Sequence, residues 1–254
     1  MMEQTKRVRI PERFCGPPDS GNGGYTCGLV STALQTSAEV TLRRPIPMER
    51  DLEVEFEQRT NSIWALLRDE DGLIAEGMPM EWTQEHPISA SFAEAEVAAA
   101  KSPAFYNHPF STCFTCGPDR KPGDGLRIFP GRIMSLDKLR DMTGNAEQSR
   151  SNFFAAHWVP DEGLAGKDGA IPDEIVWAAL DCPTGFAGGF PYEGKLVTGR
   201  LGANLYAPIH AGEKCVLVSW LTSSEGRKRM ATCILMGESG EVKAQSRATW
   251  IKLQ

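Results

Sequence analysis

The sequence has no apolar run approaching the roughly 18 residues of a membrane-spanning helix. It has no excess of positive charge either. Its 33 Asp and Glu outweigh 27 Lys and Arg, for a net charge of −6, so the diffuse basic surface that a phosphate backbone needs is missing and nucleic acid is a poor partner. No Gly-rich phosphate loop, dinucleotide fingerprint or nucleophile elbow is present; GESG at 237–240 lacks the elbow's spacing. The basic N-terminus, MMEQTKRVRIPERF, has no apolar region behind it, and a secretory signal is not expected.

What is present is the composition of a globular protein, 41% apolar and 24% charged, in a chain of 254 residues that suits one large domain or two ordinary ones. The seven cysteines are odd in number and not spaced like a small disulfide scaffold. A chain this long buries a core without staples, so the thiols are expected reduced and the location cytoplasmic. Cys113-x-x-Cys116 has no second CxxC to complete a zinc site, and only His86 and His108 lie near it in sequence. No metal is expected there and the pair is read as fixing a turn, with a CxxC metal protein left open as a third reading.

The chain repeats itself. TLRRPIPMERDLEVEFEQ (41–58) and ANLYAPIHAGEKCVLVSWLT (203–222) are each an extended run, a Pro-Ile, a polar turn and a second extended run. ALLRDEDGLIAEG (65–77) and CILMGESGEVKAQS (233–246) each read as a hairpin, turning at Asp71-Gly72 and Ser239-Gly240. A helix apolar on most faces is expected before each block, over 23–34 and 172–186, the second with Pro172 in its first turn and Asp173 and Glu174 at the positive end of its dipole. A short capped helix is predicted over 91–102, from Ser91 and Glu94 to Pro103. Two further strands are predicted over 125–133 and 152–160, with one helical turn in the polar stretch between them. The division expected is an N-terminal repeat over 1–84, a linker over 85–109 and a C-terminal repeat over 110–254.

Three stretches carry a family resemblance. CFTCGPDRKPGDGLRIFPG (113–131) is similar to the Cys-Phe-x-Cys-Gly…Gly-Leu opening of many hotdog thioesterases of the PaaI and TesB-like group. AIPDEIVWAALDCPTGFAG (170–188) resembles their vHGGilatLLDeaxG segment, and Tyr206-Ala207-Pro208 with Gly212-Glu213 resembles their Y-x-x-P…G-E strand. GNGGYTCGLVSTAL (21–34) looks like a second copy of the helix. The resemblance implies an α+β double hotdog, two antiparallel sheets each wrapped round a central helix. It also implies hydrolysis of an acyl-CoA or related acyl thioester, with coenzyme A entering only as part of the substrate and no separate cofactor. Further association into a homodimer or larger homo-oligomer is common in such folds.

Carried over residue by residue, the resemblance divides its site between the halves. The His-Gly-Gly positions are Asn22, Gly23 and Gly24 in the first half and Pro172, Asp173 and Glu174 in the second. The carboxylate position is Ser31 in the first half and Asp181 in the second. Antiparallel packing of the helices would bring Asp181 to Gly23 and Gly24, whose missing side chains let a thioester reach the backbone amides of a helix start. Thr198 falls on a water-orienting hydroxyl, and Asn22, Tyr25 and Trp177 are the expected substrate contacts. The basic clusters Arg43-Arg44 and 226–229 are candidates for coenzyme A phosphates. Other readings stay open: Asn22 as a plain helix cap, Gly23-Gly24 as a tight turn, and a non-catalytic acyl-thioester or lipid-binding protein.

Overall fold

The computed structural model describes residues 5–83, 89–133 and 153–253. The polar stretch of 135–150, and His86, lie outside the described residues.

The helices follow their local signals. α1 (Gly23–Leu34) starts at Asn22, whose side-chain oxygen accepts from the Tyr25 amide at 2.9 Å, and stops at Gln35 in the left-handed region. α2 (Phe92–Ala99) carries the Ser91–Glu94 capping box. α3 (Asp173–Ala187) begins after Pro172 and continues through Pro183.

The strands are β1 (Lys6–Arg9), β2 (Ala38–Leu42), β3 (Asp51–Arg59), β4 (Ser62–Asp69), β5 (Gly72–Pro79), β6 (Gly131–Arg132), β7 (Phe154–Trp158), β8 (Leu196–Leu205), β9 (Cys215–Glu225), β10 (Lys228–Met236) and β11 (Val242–Lys252). In β3 the apolar residues alternate, so Leu52 and Val54 are buried while the glutamates between them face outward. The run CVLVSW in β9 does not alternate, because both of its faces are covered. Cys215 and Leu217 join the main core, while Val216, Val218 and Trp220 pack with Ala95 and Ala98 of α2.

The strands form one antiparallel sheet of eleven, in the order β1-β3-β4-β5-β2-β8-β11-β10-β9-β7-β6. Its middle is palindromic: β3-β4-β5-β2 on one side is matched by β9-β10-β11-β8 on the other. This corrects the expectation of two separate sheets. β2 and β8, which would otherwise be exposed edges, pair with each other through Ala38↔Ala203, Val40↔Leu201 and Thr41↔Arg200. Glu39 spans the joint, bonding Arg200 at 3.2 Å and Arg247 at 3.0 Å.

A second correction concerns 125–133, where only Gly131–Arg132 forms a strand. The amides of Leu126 and Ile128 are instead taken by the carbonyls of Phe114 and Thr115, at 2.8 and 2.9 Å, and Arg127 has φ 54°. The segment is a brace for the Cys-Phe-Thr-Cys-Gly loop. That loop is tied on its other side to the N-terminal segment, by Phe114 N–H to the Cys15 carbonyl at 2.8 Å.

α1 packs on β2, β4 and β5, α3 packs on β8 to β11, and the two helices pack on each other. They run antiparallel. A Cβ on Gly24 would stand 2.8 Å from Ala178 Cα, whereas one on Gly28, a turn further along α1, would stand 2.4 Å from Glu174 Cα, a turn further back along α3. Glycine at both positions lets the backbones approach this closely.

Candidate active site

The antiparallel crossing delivers the start of α1 to the middle of α3. The Gly24 amide donates to Asp181 Oδ2 at 2.9 Å. The Thr198 hydroxyl, from β8, lies 2.9 Å from Oδ1 and 3.1 Å from Oδ2. Residues 157 and 17 positions apart thus close on one carboxylate, which is 1% exposed. Burial is the largest influence on that carboxyl and pushes its pKa up to about 7. The Thr198 and Gly24 bonds pull the other way and Cys113 adds to the rise.

Neighbouring side chains hold this part of α3 in place. Thr115 Oγ1 donates to the Ala178 carbonyl at 3.0 Å, Ser246 Oγ to Leu180 at 3.3 Å, Thr184 Oγ1 to Asp181 at 2.6 Å and Ser219 Oγ to Pro183 at 2.7 Å. The Trp250 indole N–H then donates to Thr184 Oγ1 at 2.7 Å. A proline inside a helix removes one amide donor, and these side chains supply bonds to backbone carbonyls around it.

Asp181 and Thr198 line a cavity of about 490 Å³ together with Asn22 and Gly23. Much of its remaining wall is apolar, including Leu42, Ile46, Phe186 and Phe190. Gly24 is not on the cavity surface. Its amide is spent on Asp181, while the Gly23 N–H, first in the same helix, makes no hydrogen bond among the described residues. A Cβ on Gly23 would lie 2.8 Å from Thr198 Oγ1, so glycine is needed here for the threonine to reach the acid.

The remaining expected contacts are distributed differently. Asn22 caps α1 and also lines the cavity, its Nδ2 donating to Thr115 Oγ1 at 3.3 Å. Tyr25 lies off the cavity, stacked on Phe14 with ring centroids 4.1 Å apart. Trp177 is buried and lines a second cavity of about 410 Å³ with Ser31 and Asp173. Both were expected as substrate contacts, and neither lines the cavity that holds Asp181. Arg43 and Arg44 do line the first cavity, but Arg43 is paired with Glu76 and Arg44 with Asp69. In the 226–229 cluster, Arg229 is paired with Glu193 at 2.6 Å.

Sequence reading missed that Cys182, the residue after Asp181, meets the CxxC pair. The sulfurs of Cys113, Cys116 and Cys182 all lie within 4.8 Å of one another and all three residues line the same cavity. The only signal in the sequence was the adjacency of Cys182 to the acid.

No protein-family profile matches the chain, and no curated protein sequence does. Solved structures do resemble it over nearly its whole length. The tesB protein of Mycobacterium avium subspecies paratuberculosis has TM-score 0.61 at 13% identity, over 99% of this chain and 96% of its own. The acyl-CoA thioesterase II of Mycobacterium marinum has TM-score 0.57 at 10% identity, over 96% of this chain and 91% of its own. A hot dog fold protein of Alicyclobacillus acidocaldarius has TM-score 0.56 at 10% identity, over 98% of this chain and 93% of its own. At such identities the likeness lies in the architecture, and that architecture is the hotdog fold.

Proposed function

We propose that this chain is an acyl thioester hydrolase, with acyl-CoA as the substrate class and one composite reaction centre between two hotdog repeats, 1–84 and 110–254. The observation that carries the proposal is the buried Asp181 carboxylate, bonded by Gly24 and Thr198 on the wall of a largely apolar cavity. The long-range likeness to the thioesterases above supports the choice of substrate.

In this reading the acyl chain occupies the apolar cavity and the thioester carbonyl lies at the start of α1. The Gly23 amide, unspent and at the positive end of the helix dipole, donates to the developing oxyanion; one such donor is worth about 3–4 kcal/mol. Water attacks the carbonyl carbon and gives its proton to Asp181. The C–S bond then breaks, the thiol leaves with that proton, and the products are a carboxylic acid and a free thiol. Thr198 holds the carboxylate in place and turns its oxygen lone pairs to the water. Gly24 serves as a fixed partner of Asp181 rather than as part of the oxyanion cradle.

The test is thiol release from a panel of acyl-CoAs of varied chain length, for the wild type and Asp181→Asn. Turnover by the wild type that collapses in the variant upholds the reading; equal rates overturn it. A second reading, a non-catalytic acyl-thioester or lipid binder, draws on the apolar wall of the cavity. It would be favoured by acyl-CoAs that raise Tm without being hydrolysed.

A further inference from the structure

The three sulfurs beside the cavity have a geometry that packing alone does not require. Cys113 opens a tight turn, Cys-Phe-Thr-Cys-Gly, closed by the Gly117 amide to the Cys113 carbonyl at 2.8 Å. Cysteine binds a metal as the thiolate. The turn is held against its surroundings at Gly117, where a Cβ would meet two backbone carbonyl oxygens at 2.5 Å.

The third sulfur arrives from α3. Cys182 Sγ is 3.7 Å from Cys113 Sγ. Zinc–sulfur bonds of about 2.3 Å in a tetrahedron put neighbouring sulfurs roughly 3.8 Å apart, while a disulfide needs about 2.05 Å. All three residues are buried and free of disulfides. Donors reach two of the sulfurs. Asn22 Nδ2 is 3.7 Å from Cys113 Sγ. His108 Nε2 is 3.2 Å from Cys116 Sγ, and its Nδ1 accepts from the Phe110 amide at 3.1 Å, which leaves the ring proton on Nε2 to be donated to the sulfur. His108 therefore acts as a hydrogen-bond partner of a thiolate and not as a ligand.

We propose that Cys113, Cys116 and Cys182 form a three-thiolate zinc site, its fourth position taken by a lighter donor from the cavity side. Zinc displaces the thiol protons to solvent as it binds. Three thiolates and one zinc sum to a charge of −1, which the Asn22 side-chain amide and the His108 N–H partly offset. The metal clamps the Cys-Phe-Thr-Cys-Gly loop to α3 one residue from Asp181. The proposal does not depend on the hydrolase reading, since it concerns metal content and not turnover.

The full chain, produced in zinc-supplemented reducing medium, is analysed for metal by mass spectrometry and reloaded with Co(II) after chelation. About one zinc per chain is expected. The cobalt form should show the charge-transfer absorption of thiolate ligation, and X-ray absorption of the zinc form should show three sulfurs and one lighter neighbour. Chelation should lower Tm by roughly 5 °C or more. Cys116→Ser and Cys182→Ser should each lose most of the metal, whereas His108→Ala should keep it. Because a serine variant can fail to fold, the wild-type measurements decide. A wild-type chain that takes up neither zinc nor Co(II) overturns the proposal, as does a Cys113–Cys182 disulfide in the freshly purified protein.

Discussion

Asp181→Asn separates the chemical role of this side chain from its structural one. Asparagine keeps the shape, and its carbonyl oxygen can still accept from the Gly24 amide. The amide nitrogen then meets the Thr198 hydroxyl, which rotates from donor to acceptor, so both contacts survive. What disappears is a carboxyl whose ionisation burial already opposes, as its pKa near 7 shows. Weaker neutral hydrogen bonds and the relief of that burial nearly cancel, and stability should change by no more than about 1 kcal/mol. Proton transfer has no such compensation. Loss of a positioned general base costs about 10² to 10⁴ in turnover, or roughly 3–5 kcal/mol of barrier. Apolar contacts to the acyl chain are untouched, so KM should hold while kcat falls. Thiol release from acyl-CoA gives the rates, and thermal melting gives the fold. A variant with wild-type Tm and kcat/KM within about threefold of wild type would refute the assignment of Asp181 as base.

Thr198→Val, close in size, removes only the hydroxyl beside Asp181, and kcat should fall about tenfold with a small change in Tm, read in the same two assays. Gly24→Ala puts a methyl group 2.5 Å from Asp181 Cβ and 2.7 Å from the Trp177 carbonyl; melting should show a loss of about 1–3 kcal/mol, with turnover falling alongside. Ser31→Ala, at the equivalent of Asp181 in the first half, removes a 3.1 Å bond to the Thr36 carbonyl and should leave kcat/KM unchanged while costing about 1 kcal/mol in melting. Phe190→Ala enlarges the cavity and should shift the preferred acyl chain toward greater length in a chain-length panel.

The sequence was most informative where signals are local. Asn22 before two glycines marks the start of α1, and Ser91 with Glu94 marks that of α2. The hairpins at Gly72 and Gly240 follow from their turns, and the repeat of Pro-Ile and hairpin reappears as the two matched halves of the strand order. The family resemblance named Asp181, Gly23 and Thr198, which the structure brings to the wall of one cavity. Hidden features depend on distant partners. The β2–β8 joint is set by which edges meet, and neither strand's own side-chain pattern names the other. Residues 125–130 look like a strand in composition, but their amides go to a loop instead. Tyr25 and Trp177 sit on α1 and α3 yet do not line the cavity with Asp181, and a cavity wall exists only once distant segments have docked. Cys182 becomes a neighbour of Cys113 only once α3 is docked.

The two halves are unequal, and in the proposed reading they make one centre out of two copies. By the palindrome, the start of α3 is the counterpart of the start of α1, and Ser31 the counterpart of Asp181. At α1 the start is bare glycine and faces a carboxylate. At α3 it carries Asp173 and Glu174, with Ser31 and Asp173 on the wall of the second cavity. Burial pushes the Asp173 carboxyl upward in pKa, as expected of an acid placed in surroundings that do not favour its charge. A developing oxyanion there would meet an acidic side chain in place of a bare amide, and no carboxylate at position 31 to activate water. Restoring a general base with Ser31→Asp would therefore not be enough to build a second centre. The acidic start of α3 also packs against Gly28, where a Cβ would stand 2.4 Å from Glu174 Cα. The α3 start thus helps seat α1 against Asp181, so in the proposed reading the half without a cradle contributes to the geometry of the half that has one.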